Sequence, residues 1–371
     1  MIRTMIQKNT YMDSVELMLL SKKIGKFDGV TKATVMMGTA ANIEIMKKGG
    51  FESEELKKAK PNDMVICVDT AEDEAFHKVV EAVTQAYQGE KKAKKENTGL
   101  KTVKNWNEAE AYGDEYNLAL ISVPGEYAAD EAKKALDLNK NVMLFSDNVT
   151  IEDESRLKEY AHEKGLLVMG PDCGTSILGG VPLAFANMVR KGSIGIVGAT
   201  GTGIQEISVT IDRLGGGISQ AIGVGGRDLW EEIGGISMKD AIAALDEDEE
   251  TETIVVVSKP PAARVKTEME HFLSGIHKPA VVLFIGEDKR TKCGNVHYVS
   301  TMRQAAETAV KLSGIEPQCA AADAAPEITF SSHAKLFGVF SGGTLAYEAA
   351  HLIAGSMGIE NKETKPAGCI L

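Results

Sequence analysis

Along this chain, short apolar runs alternate with stretches whose apolar residues recur at helical spacing. Residues 1–8, 33–37 and 63–68 read as strands, and 41–48 and 74–87 as helices. Asp13 and Ser14 are suited to cap a further helix with apolar positions at Val15, Met18, Leu19 and Ile24. The lysine-rich segment 89–96, interleaved with Glu, reads as a solvated linker. From Asn117 the rhythm tightens into strand 117–123, helix 126–137, strand 141–145, helix 153–164 and strand 166–169. Thr150 and Asp153 resemble a capping box, with Asp where Glu or Gln is usual. The turn-rich segment 175–191 reads as an inter-domain connection. A second α/β series follows, with strands at 194–197, 218–222, 253–257, 280–285 and 296–299. Its helices are expected from near Gly201 and at 237–245, 263–273 and 301–312, and the acidic run 246–250 reads as an exposed turn. Strands alternating with helices at this pace predict a parallel, doubly wound sheet whose ligands lie beyond the carboxyl ends of the strands.

One stretch carries chemistry in its pattern. After the apolar strand 194–197 come Gly198, Gly201 and Gly203, interspersed with Thr200 and Thr202, and then Ile204, Ile207, Ile211 and Leu214 at helical spacing. Strand, glycine turn, helix is a geometry that directs free backbone N–H groups and the positive end of a helix dipole at one spot. A phosphate or carboxylate suits such a spot. The glycines spell neither G-x-G-x-x-G nor a P-loop, so a bare βα turn fits the pattern as well. A domain-sized interval downstream, 336–348 repeats the arrangement, with Gly343, Thr344 and Glu348 matching Gly201, Thr202 and Glu206. The two turns predict an anion site lined by Gly201, Thr202, Gly203, Gly343 and Thr344, with Arg227 as a charge stabiliser or a surface ion pair.

Composition narrows the classes. The 371 residues suffice for two or three domains, and 43% hydrophobic with 25% charged residues is ordinary for a globular protein. A net charge of −12 argues against nucleic acid and anionic membranes. No apolar run spans a bilayer and the first residues lack the core of a signal peptide, so a cytoplasmic protein is expected. The five cysteines are dispersed, with no CxxC or Cys/His cluster, so neither a disulfide framework nor a metal site is expected.

Several runs together resemble the α-subunit of the NDP-forming acyl-CoA synthetases of the succinyl-CoA synthetase type. They are ISVPGEYAADEAKKAL (121–136), GLLVMGPDCG (165–174), the glycine turn at 195–206, GVGGRD (223–228) and 278–286. Within that superfamily the sequence is most similar to the FdrA family, through SVELM (14–18), VMMGTAA (35–41), FSDNV (145–149), LAFAN (183–187) and SKPPA (258–262). The resemblance implies a Rossmann-like CoA-binding domain over 1–174 and a flavodoxin-like, succinyl-CoA synthetase-type ligase domain over 192–315. The start of a second ligase-type domain would lie at 333–371, after a linker at 316–332, which implies a protein shortened at its C-terminal end. Val123, Pro124 and Ser146 would contact CoA, and CoA or a nucleotide is the implied cofactor. Two departures stand out. The family's phosphohistidine loop is replaced by a short segment after residue 285, leaving His297 in a strand-like stretch, while His162, His271 and His351 read as helix-face residues. The first βα turn, at 7–14, contains no glycine.

The resemblance implies an acyl-CoA synthetase-like subunit handling an acyl- or carbamoyl-phosphate in allantoin (oxalurate) breakdown, beside partner subunits of an oxamate carbamoyltransferase. A homo-oligomer is expected, and the catalytic residues stay unassigned. The competing reading is a non-catalytic scaffold that keeps the synthetase fold. A dinucleotide-binding oxidoreductase ranks last, since no strand-associated G-x-G-x-x-G with a downstream acid is present.

Overall fold

The computed structural model describes residues 2–10, 12, 14–96, 103–112, 116–287, 291–317 and 337–356. The protein divides into two units, Met1–Val103 and Lys104–Leu371.

In the first unit the order is β1 (Ile2–Gln7), α1 (Ser14–Ile24), β2 (Val30–Met37), α2 (Ala40–Lys48), β3 (Met64–Thr70) and α3 (Asp73–Glu96). The sheet is three-stranded in the order β1-β3-β2, and both pairings are antiparallel. Central β3 alternates between two cores. Met64, Ile66 and Val68 pack with Leu17, Leu20, Ile24, Val79 and Val83, while Val65 and Cys67 pack with Met46, Phe51 and Leu56. This corrects the reading of 1–174 as one Rossmann-like domain. A strand covered on both faces is apolar throughout whether its neighbours run parallel or antiparallel, so the run at 63–68 does not reveal direction. The segment 89–96 is likewise not a linker but the last turns of α3.

The second unit begins with α4 (Trp106–Glu110), then β4 (Leu118–Ile121), α5 (Gly125–Asp137), β5 (Asn141–Leu144), α6 (Ile151–Glu163) and β6 (Val168–Met169). These strands form a parallel sheet in the order β4-β5-β6. Thr150 caps α6, its Oγ1 accepting from the Asp153 amide at 3.1 Å. The predicted connection at 175–191 is instead a hairpin, β7 (Thr175–Leu178) and β8 (Val181–Ala184), added to the edge of a larger sheet. There follow β9 (Lys191–Gly198), α7 (Gly201–Arg213), β10 (Ile218–Gly223), α8 (Ile236–Glu247), β11 (Thr253–Ser258), α9 (Ala263–Leu273) and β12 (Ala280–Phe284). Strands β13 (Lys292–Cys293) and β14 (Val296–Tyr298), then α10 (Met302–Leu312) and α11 (Gly343–Ser356), complete the described elements.

The eight strands run in the order β13-β14-β12-β11-β9-β10-β7-β8, parallel from β14 through β10 and antiparallel at both ends. One apolar core lies on the α8 and α9 side and includes Met143 and Met169, so it reaches the β4-β5-β6 sheet. The other lies under α7 and α10, with Ile204, Ile207 and Ile211 facing Ala305, Ala309 and Val310. The helical spacing seen at Ile204, Ile207 and Ile211 is therefore the buried stripe of α7. The strand expected before the second glycine turn is absent over 337–340, the described part of that segment. Phe337 and Val339 are exposed there, with no ladder to join.

Candidate functional site at the carboxyl edge of the parallel sheet

Strand β9 ends in the glycine turn, and Thr200 takes an extended backbone that makes it the N-cap of α7. Its Oγ1 accepts from the Gly203 amide at 3.2 Å. Gly203 has no Cβ for a structural reason, since one would lie 2.5 Å from Thr200 Cγ2. Gly201 is exposed at the first position of α7, and a Cβ there would stand 3.2 Å from Thr175 Oγ1.

The second turn comes directly onto the first. Thr344 Oγ1 lies 2.6 Å from Thr200 Oγ1, both side chains being buried, and Thr202 packs against the Cα of Gly342. Gly343 has open space where a side chain would be. The five predicted anion-site residues thus lie at one junction of two helix N-termini. The threonine hydroxyls bond to each other across it, and the Gly203 amide is used by the cap. The duplicated glutamates also converge. Glu348 Oε1 accepts from the Met302 amide at the start of α10, at 2.6 Å. Burial pushes the Glu348 carboxyl above the ordinary carboxylate range, the Met302 amide draws it back, and the charge of Glu206 raises it further.

Arg227 is committed elsewhere. Its guanidinium donates to the Val149 carbonyl at 2.9 Å and pairs with Glu154 at 2.7 Å. Glu154 belongs to a buried network in which Lys158 Nζ meets Glu154 at 2.8 Å, Asp228 at 2.7 Å and the Val224 carbonyl at 2.9 Å. Asp228 in turn accepts from the Met238 amide, so the network ties α6 to the loop after β10 and to α8. The ion-pair reading of Arg227 is the one that its contacts support.

Val123, Pro124 and Ser146 sit together where β4 and β5 end and α5 begins. Ser146 Oγ accepts from the Val123 amide at 2.9 Å, and Pro124 is the N-cap of α5. A Cβ at Gly125 would strike the Asp147 carbonyl at 2.3 Å, which explains the glycine. Asp172 borders this edge. Its carboxyl is pushed up by desolvation and by neighbouring Asp147, and drawn down by Arg227. Two carboxylates there oppose a polyphosphate.

His297 lies in β14 opposite Val281. Burial and then Lys292 hold its imidazole below the usual histidine range. The histidine that sequence reasoning left on a helix face is the better placed. His351 packs edge-on against Tyr347, and its buried Nε2 has no hydrogen-bond partner and lies against Gly286, just beyond β12. The signal was the spacing of Thr344, Glu348 and His351, which places all three on one helical face. Among the described residues, no group of three or more His, Cys, Asp or Glu is placed to hold a metal ion. Nor is any described helix long and apolar enough to cross a membrane.

Two family descriptions match parts of the sequence. Residues 1–103 match "AllF, heavy metal-associated domain" and residues 189–286 match "CoA binding domain". The CoA-binding likeness therefore falls on the region around β9 to β12, not on the first 174 residues where it was expected. The uncharacterized protein YahF of Escherichia coli (strain K12) is 45% identical over 324 residues, covering 85% of this chain and 61% of YahF. The succinate–CoA ligase [ADP-forming] subunit alpha of Aquifex aeolicus (strain VF5) is 27% identical over 176 residues, covering 46% of this chain and 56% of that subunit. A solved structure of dinucleotide-forming acetyl-coenzyme A synthetase 1 from Ca. Korarchaeum cryptofilum, in complex with phosphate and ADP, aligns at 20% identity with a TM-score of 0.42. The alignment covers 61% of this chain and 50% of that one. The protein thus spans 61% of YahF and 56% of the ligase subunit.

Proposed function

We propose that this chain, similar to YahF and to the succinate–CoA ligase subunit alpha, is an FdrA-like, ligase- or transferase-type subunit that handles an acyl- or carbamoyl-phosphate at the paired glycine-threonine turns. The observation that carries the reading is the meeting of α7 and α11 at their N-termini, through Thr200 and Thr344 at 2.6 Å. The positive ends of two helix dipoles add there, and the amides of Gly201 and Thr202 precede the first intrahelical bond. Such a junction stabilises the oxygens of a transferring phosphoryl or carbamoyl-phosphate group by fixed dipoles, without a phosphohistidine. By kinship the setting is purine and allantoin (oxalurate) catabolism in the cytoplasm. The protein would work there as a homo-oligomer or with partner subunits of an oxamate carbamoyltransferase, CoA or a nucleotide being the cofactor that the family implies.

A melting experiment on the whole protein tests this reading. Carbamoyl phosphate or inorganic phosphate at 100 times its dissociation constant should add about 2.7 kcal/mol of stability. Gly201→Val should remove that gain; its unliganded melting temperature should fall somewhat as well, because a Cβ there stands 3.2 Å from Thr175 Oγ1, so the gain is read as a shift from the variant's own unliganded value. If neither anion stabilises the wild type, the reading fails. The scaffold alternative then gains, and one fact already favours it: the Thr200 and Thr344 hydroxyls and the Gly203 amide bond within the protein.

A further inference from the structure

Lys158 stands on α6, whose Leu157 and Ala161 pack against the β4-β5-β6 sheet, yet its ammonium reaches the larger sheet. Nζ donates to the Val224 carbonyl at 2.9 Å and to Asp228 at 2.7 Å, both in the loop that leaves β10. The same Val224 holds the neighbouring strand with its amide, which donates to the Gly198 carbonyl at 2.9 Å. Gly198 is the last residue of β9 and opens the glycine turn. A single residue therefore links a fully buried ammonium to the backbone from which the turn departs.

The loop is seated as closely on its other side. Gly225 has φ +87°, and a Cβ there would lie 2.6 Å from the Pro171 carbonyl oxygen, so its backbone passes directly over the turn that follows β6. Asp228 closes the loop, accepting from the Met238 amide with its carboxylate and from the Gly235 amide with its carbonyl. Such a network is a poor way to gain stability. Apolar side chains of similar volume often serve a buried site as well or better, and ordering a lysine gives up its rotamer freedom. What the ammonium adds, and apolar packing does not, is a fixed position for one carbonyl.

We propose that Lys158 is a positioning residue for the anion site. By holding the Val224 carbonyl it fixes the loop 224–228 against Gly198, and so keeps the amides of Gly201 and Thr202 aimed at one point. This rests on the phosphate reading above and adds the element that preorganises it. Lys158 touches no ligand and acts through the backbone of Val224.

The test compares Lys158→Met/Asp228→Leu with the wild type in the full-length protein, reading hydrogen exchange by mass spectrometry and phosphate affinity by calorimetry. Exchange across 198–203, where the Ala199 and Gly203 amides are bonded, should rise about tenfold, while strand 280–284 of the same sheet keeps its wild-type protection. The dissociation constant for inorganic phosphate should also rise about tenfold, since a small displacement of a preorganised site costs that much or more. A merely structural role would loosen both segments together or neither, and either result overturns the proposal. Selective loosening of the turn with phosphate affinity unchanged overturns it too. If phosphate fails to bind the wild type, the phosphate reading falls, and exchange alone decides whether Lys158 holds the turn. Gly225→Ala leaves the ion network in place but drives the loop off the Pro171 carbonyl. It should reproduce the selective rise even where the double variant does not fold, and unaltered exchange at 198–203 in that variant would refute the coupling of loop to turn.

Discussion

Lys158, fully buried, survives only through its neighbours. Glu154 and Asp228 take its ammonium from two sides, the Val224 carbonyl takes a third proton, and Arg227 balances the remaining acid. Removing one member strands the others, which costs about 3–5 kcal/mol for a buried pair. Lys158→Met should therefore lower the urea midpoint sharply, whereas Lys158→Met with Asp228→Leu should recover part of the loss. Equal losses in the two variants would mean that the acids are satisfied without the lysine. At the glycine-threonine junction, Thr200→Val removes a cap and half of a hydroxyl pair, and should cost about 1–2 kcal/mol by the same assay. Thr200 and Thr202 were visible in sequence as hydroxyls beside glycine. That Thr200 would cap its own helix and bond to Thr344 was not, because both bonds depend on where the second turn lands. Arg227 shows the same limit: a lone arginine in a glycine loop gives no hint of Glu154, which is distant in the sequence.

Helix α11 illustrates what an element can hide. Its start was readable from the repeat of Gly-Thr-x-x-x-Glu, yet the strand expected before it is missing over 337–340. A strand needs a neighbour to pair with, and an apolar run cannot announce whether one is available. Its attachment to the body should depend on pH. The folded Glu348 carboxyl is raised above its ordinary value, first by burial. A raised carboxyl favours the docked state while protonated, so this contribution is complete below the unfolded value and is lost as pH rises through the folded one. Hydrogen exchange of the amides in α11, corrected for intrinsic rates, should accordingly be faster at pH 8 than at pH 5. Glu348→Gln, still able to accept from Met302, should flatten the difference. Identical protection at both pH values in the wild type would refute the coupling.

On the scale of the whole molecule, each unit carries cores of its own. Met64, Ile66, Val68 and their partners serve the first, and the clusters around Val256 and around Ile207 serve the second. A fragment of residues 1–103 should fold alone, with a cooperative thermal transition by circular dichroism. A featureless melt would show that its cores are insufficient. The parallel sheets, the buried stripe of α7 and the glycine turn were all legible in the sequence, because apolar period and turn chemistry are local properties of a polypeptide. Strand direction in the first unit, the hairpin at the sheet edge, the ion network around Lys158 and the approach of His351 to Gly286 were decided only by tertiary structure. Each depends on pairing residues far apart in sequence, and periodicity records which faces are buried without recording what buries them.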